Sequence, residues 1–180
     1  MKILVTGGTG YIGSHTVVEL QNKGFEVIIV DALFNSRVDV LDSIEKITGV
    51  RPEFESFDLA NQALTDDFFS RHNDIKGVIH FAAHKAVGES VEQPIKYYRN
   101  NLDSLMNILE SMSKYNVPNL VFSSSCTVYG QPVVSAYWIE ISESDSIQAF
   151  ICIYRFRYDL FCNLLCVAVR TLCFLDRSCL

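Results

Sequence analysis

The feature that most constrains this chain is Gly7-Gly8-Thr9-Gly10-Tyr11-Ile12-Gly13, four glycines in seven residues between an apolar run and a helical repeat. Lys2–Thr6 is short and β-branched, and from Tyr11 to Lys23 the residues Ile12, Thr16, Val17 and Leu20 recur at helical spacing until Gly24 stops them. The spacing predicts strand, tight turn, helix. It reads as GxxGxxG from Gly7 or as GxGxxG from Gly8, and both registers share Gly10 and Gly13. A turn without Cβ atoms lets a diphosphate approach the backbone, where the N–H groups and dipole of the helix N-terminus meet negative charge. Eighteen residues after Gly13, the second apolar run, Phe25–Val30, ends at Asp31. A carboxylate there is placed to accept hydrogen bonds from both ribose hydroxyls of an adenosine and to repel a 2′-phosphate, which favours NAD over NADP.

The punctuation continues. Arg37–Thr48 is helical in pattern with Ser36 as its expected cap, Phe54–Phe57 a weaker strand closing at Asp58, and Leu64–His72 a short helix. Gly77–Ala82 is a strong strand, Asn100–Tyr115 a helix with Leu102, Leu105, Met106 and Leu109 on one face, and Asn119–Ser123 a strand introduced by Pro118. Continuous apolar strands alternating with helices predict an α/β fold: a Rossmann-type, doubly wound parallel sheet. Asp58 and Phe81-Ala82-Ala83 then fall at the carboxyl edge, where such sheets bind ligands.

Composition sets the outer limits. Of 180 residues 49% are hydrophobic and 20% charged, enough for a globular core, and the formal charge of −6 offers no positive field for nucleic acid. The start of the chain does not read as a signal peptide, no apolar run reaches membrane-spanning length, and a cytoplasmic location with free thiols is expected. The six cysteines match no paired zinc spacing, so no metal site is expected.

After Pro132 the character changes. Residues 133–180 hold no glycine, proline or lysine, yet contain five of the six cysteines and the only tryptophan. The expected organisation is therefore a dinucleotide-binding domain over 1–132, incomplete as a Rossmann unit, followed by an atypical tail over 133–180 that a shifted reading frame would explain.

Several blocks together are specific to a family: the glycine turn with Ser14-His15-Thr16, Asp31 through Asn35-Ser36, His80-Phe81-Ala82-Ala83-His84-Lys85-Ala86-Val87-Gly88-Glu89-Ser90, Tyr97-Tyr98-Arg99-Asn100-Asn101, and Ser123 to Gly130. On these the chain, from Met1 to about Pro132, resembles the UDP-sugar 4-epimerase branch of the extended short-chain dehydrogenase/reductases, the NAD-dependent epimerase/dehydratase family. The KAVGES block argues against a fragment of a related nucleotide-sugar dehydratase or decarboxylase, which would share the fold and the cofactor. The resemblance implies interconversion of UDP-glucose and UDP-galactose by oxidation and re-reduction at C4, with NAD unchanged at the end of the cycle.

It implies cofactor contacts from Gly7, Gly10, Tyr11, Ile12, Gly13, Asp31, Asn35, Ser36, Asp58, Leu59, Phe81, Ala82, Ala83, Lys85 and Asn100. It places at Ser125 a serine that hydrogen-bonds the sugar hydroxyl being oxidised. The family base is a tyrosine with a lysine four residues on, whose charge favours the phenolate from the same helical face. The last lysine here is Lys114, so no Tyr-x-x-x-Lys follows Ser125. Arg155 and Arg157 are the nearest positive charges to Tyr154 and Tyr158 and are not equivalent partners. An NAD-binding chain that turns nothing over is accordingly the alternative to an active isomerase. The family's smaller substrate-gripping domain is missing from the pattern, so weak binding of UDP-sugar is expected. The family homodimer packs the 100–115 helix with a second helix that the sequence does not present, so weak self-association is expected.

Overall fold

The structure, a computed structural model, describes residues 1–123 and the backbone of two later strands, 150–155 and 166–168. Five strands run parallel in the order β3-β2-β1-β4-β5: β1 (Lys2–Thr6), β2 (Glu26–Val30), β3 (Glu53–Glu55), β4 (Ile75–His80) and β5 (Asn119–Ser123). The helices between them are α1 (Tyr11–Asn22), α2 (Val40–Thr48), α3 (Gln62–Arg71), α4 (Val87–Glu92) and α5 (Pro94–Lys114). Two further strands, β6 (Phe150–Arg155) and β7 (Cys166–Ala168), extend the sheet antiparallel beyond β5.

Both faces of the sheet are covered, which is why its central strands are apolar without alternation. Leu4, Ile28, Val30, Val78 and Leu120 point to the face packed by Phe68 and Phe69 of α3 and by Ile108 and Met112 of α5. Ile3, Val5, Val27 and Ile29 point to the other, against Val17 of α1 and Leu41 and Ile44 of α2. Each such fully buried aliphatic side chain contributes roughly 1.5–3 kcal/mol, so the two clusters dominate any single surface ion pair. The layered core holds the carboxyl ends of β1, β2 and β4 side by side.

Three local expectations are corrected. The second helix starts at Val40, with Asp39 at its N-cap, and Ser36 does not cap it because the Ser36 hydroxyl donates to the Asp31 carboxylate. The long helix begins at Pro94, two turns before Asn100; proline is tolerated at a first helical position because its missing N–H has no partner there anyway. The fourth strand spans Ile75–His80, so Phe81 and Ala82 lie in the loop beyond it. Among the described residues no helix is long and apolar enough to cross a membrane.

Candidate dinucleotide site at the sheet edge

The glycine turn is shaped by contacts that exclude side chains. Gly7 has φ +67°, and a Cβ there would lie 2.8 Å from the backbone nitrogen of Ala82. At Gly13 a Cβ would run into the Gly7 carbonyl oxygen and stand 2.8 Å from Gly8 Cα. The turn is pinned by Gly7 N–H donating to the Val30 carbonyl at 2.8 Å and Gly10 N–H donating to Gly7 O at 3.1 Å. Gly10 is the N-cap of α1, makes no side-chain cap bond, and no acidic residue follows in the first helical turn. The N–H groups there meet no carboxylate of their own helix, so the helix end is suited to an anionic group. Tyr11 and Ile12 stand exposed beside it.

Asp31, buried at 8% exposure, is engaged on both oxygens. Its Oδ1 accepts from Leu33 N–H at 2.9 Å and from the Ser36 hydroxyl at 3.1 Å, and its Oδ2 accepts from Thr9 N–H at 3.2 Å. A carboxylate offers about four acceptor positions, so one remains open on Oδ2. The Thr9 and Ser36 hydroxyls are 2.8 Å apart. If Ser36 turns its proton to Thr9, a second position opens on Oδ1, and the carboxylate can then take both hydroxyls of a vicinal diol.

Asp58 and Leu59 follow β3. Asp58 Oδ1 accepts from Ala60 N–H at 2.9 Å. The Leu59 side chain belongs to the core, and its carbonyl already accepts from Thr65 and Asn107, which leaves its N–H as the polar group able to meet a ligand. Phe81 N–H donates to Thr6 O, so the loop after β4 lies against the end of β1. Ala82 is half-buried, while Ala83, Lys85 and Asn35 are exposed on the same rim. Asn100, on α5, donates to the Asn101 side chain at 3.0 Å. The structure thus gathers the predicted residues of the glycine turn and of the loops after β2 and β4 around the end of β1, while Asn100 stands on α5. Ser125 lies outside the described residues.

Two groups of the site were not singled out from sequence. Thr9, between the glycines, holds Asp31 through its N–H and Ser36 through its hydroxyl. Thr6 places its Oγ 2.7 Å from His80 Nδ1 and accepts from Ala82 N–H at 3.4 Å, tying β1 to β4 below the loop. Burial depresses the His80 pKa to about 4, so this imidazole is neutral at ordinary pH. The only hint in the sequence was a small hydroxyl residue just before the turn and another between its glycines.

Comparison with known proteins supplies the relationship. A family model described as the NAD dependent epimerase/dehydratase family matches residues 3–147. The UDP-glucose 4-epimerase of Schizosaccharomyces pombe is 53% identical over 142 residues, covering 79% of this chain and 40% of the relative. That of Bacillus subtilis is 52% identical over 135 residues, with 75% and 40% covered. Among solved structures, the Bifidobacterium longum UDP-glucose 4-epimerase in complex with NAD+ and UDP superposes with a TM-score of 0.70 at 47% identity, over 78% of this chain and 42% of that one. The Stenotrophomonas maltophila enzyme, with bound NAD and formylated UDP-arabinopyranose, gives 0.69 at 44% identity, over 75% and 40%. The chain spans about 40% of the length of these curated relatives.

Proposed function

The chain belongs to the NAD dependent epimerase/dehydratase family, and from that premise we propose that the edge of its sheet holds NAD and that its ancestral reaction is the interconversion of UDP-glucose and UDP-galactose. The observation that carries the cofactor reading is the Cβ-free cradle: Gly7 and Gly13 leave no room for side chains where the turn meets the uncapped end of α1. The first-turn N–H groups would hold the diphosphate, Asp31 the adenosine ribose, with Ser36 yielding to admit the second hydroxyl. Asp58, the Leu59 N–H and the Phe81–Lys85 loop would line the remainder, with Asn35 and Asn100 at its margins. When bound, the nicotinamide supplies an acceptor and donor of hydride for the sugar C4.

For the reaction itself the proposal has two branches. By relationship the chain is an isomerase, with Ser125 orienting the sugar hydroxyl. The second branch, a chain that holds NAD without turnover, is favoured by one specific observation: no lysine follows Lys114, so the tyrosine–lysine base has no counterpart. Division of the chain into a cofactor-binding unit over 1–132 and a distinct segment over 133–180 belongs to the same proposal. Reading the coding DNA in its other frames past codon 132 checks it, and a Tyr-x-x-x-Lys in one of them is the expected result. Calorimetric titration of NAD+ into the purified chain tests the cofactor reading, and no binding by folded protein would end it. Incubation with UDP-galactose and NAD+ separates the branches, since formation of UDP-glucose requires another group to serve as base.

The proposal also covers self-association. Ile95, Tyr98, Leu102 and Met106 of α5 are each more than half exposed and follow one another at spacings of three, four and four residues, a single stripe along the helix. A second copy of the chain, packing the same stripe, is the occupant this reading assigns to it. With only one of the family's two pairing helices legible, the association is expected to be weak.

A further inference from the structure

The strand order makes one aromatic contact informative. β2 and β4 are the two neighbours of β1, so any contact between the loop leaving β2 and the loop leaving β4 passes across the end of β1, where the glycine turn lies. Such a contact exists. Phe34, three residues after Asp31, sets its ring 5.4 Å from the ring of His84, tilted by 48°. Phe34 is 64% exposed, so no core packing explains its position. The backbone directs it there: Leu33 adopts φ +58°, rare for a residue with a branched side chain, and its N–H is held by Asp31 Oδ1.

The other half of the contact is fixed from behind. His84 N–H donates to Asn101 Oδ1 at 2.8 Å, and Asn101 Nδ2 donates back to the His84 carbonyl at 3.0 Å, so α5 clamps the loop by both backbone groups. The far side of the imidazole packs on Tyr97, ring to ring at 5.5 Å, and Tyr97 is itself held through its hydroxyl by Glu89 at 2.7 Å. One side of the bridge is therefore anchored to α5, while the other stands on a loop in strained backbone conformation, tethered among the described residues through the Asp31–Ser36–Thr9 group and, at its start, by Asp31 N–H donating to the Glu55 carbonyl at 3.3 Å.

We propose that Phe34 and His84 form a strap across the dinucleotide site, closing over the diphosphate and governing release of the bound cofactor. The inference rests on the NAD reading above and adds to it a retention role for two side chains outside the phosphate cradle and the ribose carboxylate. The anchored half stays in place while the Phe34 half lifts away, so exchange of the dinucleotide requires the aromatic contact to part.

The test is the release rate of NADH from the full chain, followed by loss of bound-nucleotide fluorescence on chasing with excess NAD+. Phe34→Ala and His84→Ala are each expected to speed release roughly tenfold, the range set by loss of one aromatic pair. The double variant is expected to be no faster than either single one, because both changes remove the same contact. Unaltered release in the single variants, or effects that multiply in the double variant, would overturn the strap. Failure of the unsubstituted chain to bind NADH would refute the cofactor reading first and the strap with it. The Phe34 variant keeps the test open if His84→Ala perturbs folding, because Phe34 contributes no buried core.

Discussion

At the scale of single residues, Gly13 is the least replaceable position described. Its added Cβ meets the Gly7 carbonyl and Gly8 Cα, both backbone atoms that cannot step aside without opening the turn. Gly13→Ala is expected to abolish calorimetric NAD+ binding and to cost roughly 1–3 kcal/mol of stability, the usual range for overpacking. A variant that binds at parental affinity would show that the turn is not the cradle. His80 yields a pH prediction. Its folded pKa, near 4, lies below the ordinary value of 6.5, so the unfolded chain binds more protons between those values. Stability is therefore full above about 6.5 and declines as pH falls toward 4, by up to about 3 kcal/mol. Urea melts at pH 7 and pH 5 should show that slope in the parent and a shallower one in His80→Gln. The glycine spacing and Asp31 were legible because a turn's backbone needs leave their mark on residue type. The Thr9–Ser36–Asp31 group was not, since it depends on the 31–39 loop folding back over the turn, and Ser36 read in isolation looks like a helix cap.

At the scale of elements, β3 and α3 are joined by a clamp. Arg71 makes paired hydrogen bonds of 2.8 Å to the Glu55 carboxylate, and His72 adds a third at 2.8 Å. The Arg71 guanidinium, opposed by partial burial and assisted by His72, holds the Glu55 pKa at about 2, below its ordinary 4.5. The clamp is intact above about 4.5 and is lost as pH falls toward 2, so acid unfolding followed by circular dichroism should start at higher pH in Arg71→Met than in the parent. For α5, Leu102→Lys places a charge in the middle of the exposed stripe. Analytical ultracentrifugation at rising concentration should show weaker self-association in that variant, and an unchanged profile would remove α5 from the interface. The apolar strands and α1 could be read because both sheet faces are covered and the helix stripe is regular. The first two turns of α5 could not: Lys96, Tyr97, Tyr98 and Arg99 offer no apolar period, and Pro94 resembles a break until it is seen at the first helical position.

At the scale of the molecule, the five parallel strands and the two-sided core follow from periodicity and connection length, whereas the antiparallel addition of β6 and β7 does not, since residues 133–180 contain none of the glycine or proline that marks turns elsewhere. Because the proposed cofactor touches the turn after β1 and the loops after β2, β3 and β4, its binding should stabilise the sheet as a unit. At one hundred times its dissociation constant, NAD+ is expected to add about 2.7 kcal/mol and to raise the melting temperature by about 5–10 °C. Differential scanning fluorimetry reads this directly, and a melting temperature unmoved by saturating NAD+ would overturn the cofactor reading. The strand order carries a consequence for biosynthesis as well. Among the described strands Lys2–Thr6 is made before its partners yet occupies the middle of the sheet, and its second neighbour is complete only at His80. Until synthesis has passed His80, the Ile3–Val5 run lacks one of its two flanks, and the nascent chain offers chaperones an unsheltered apolar segment.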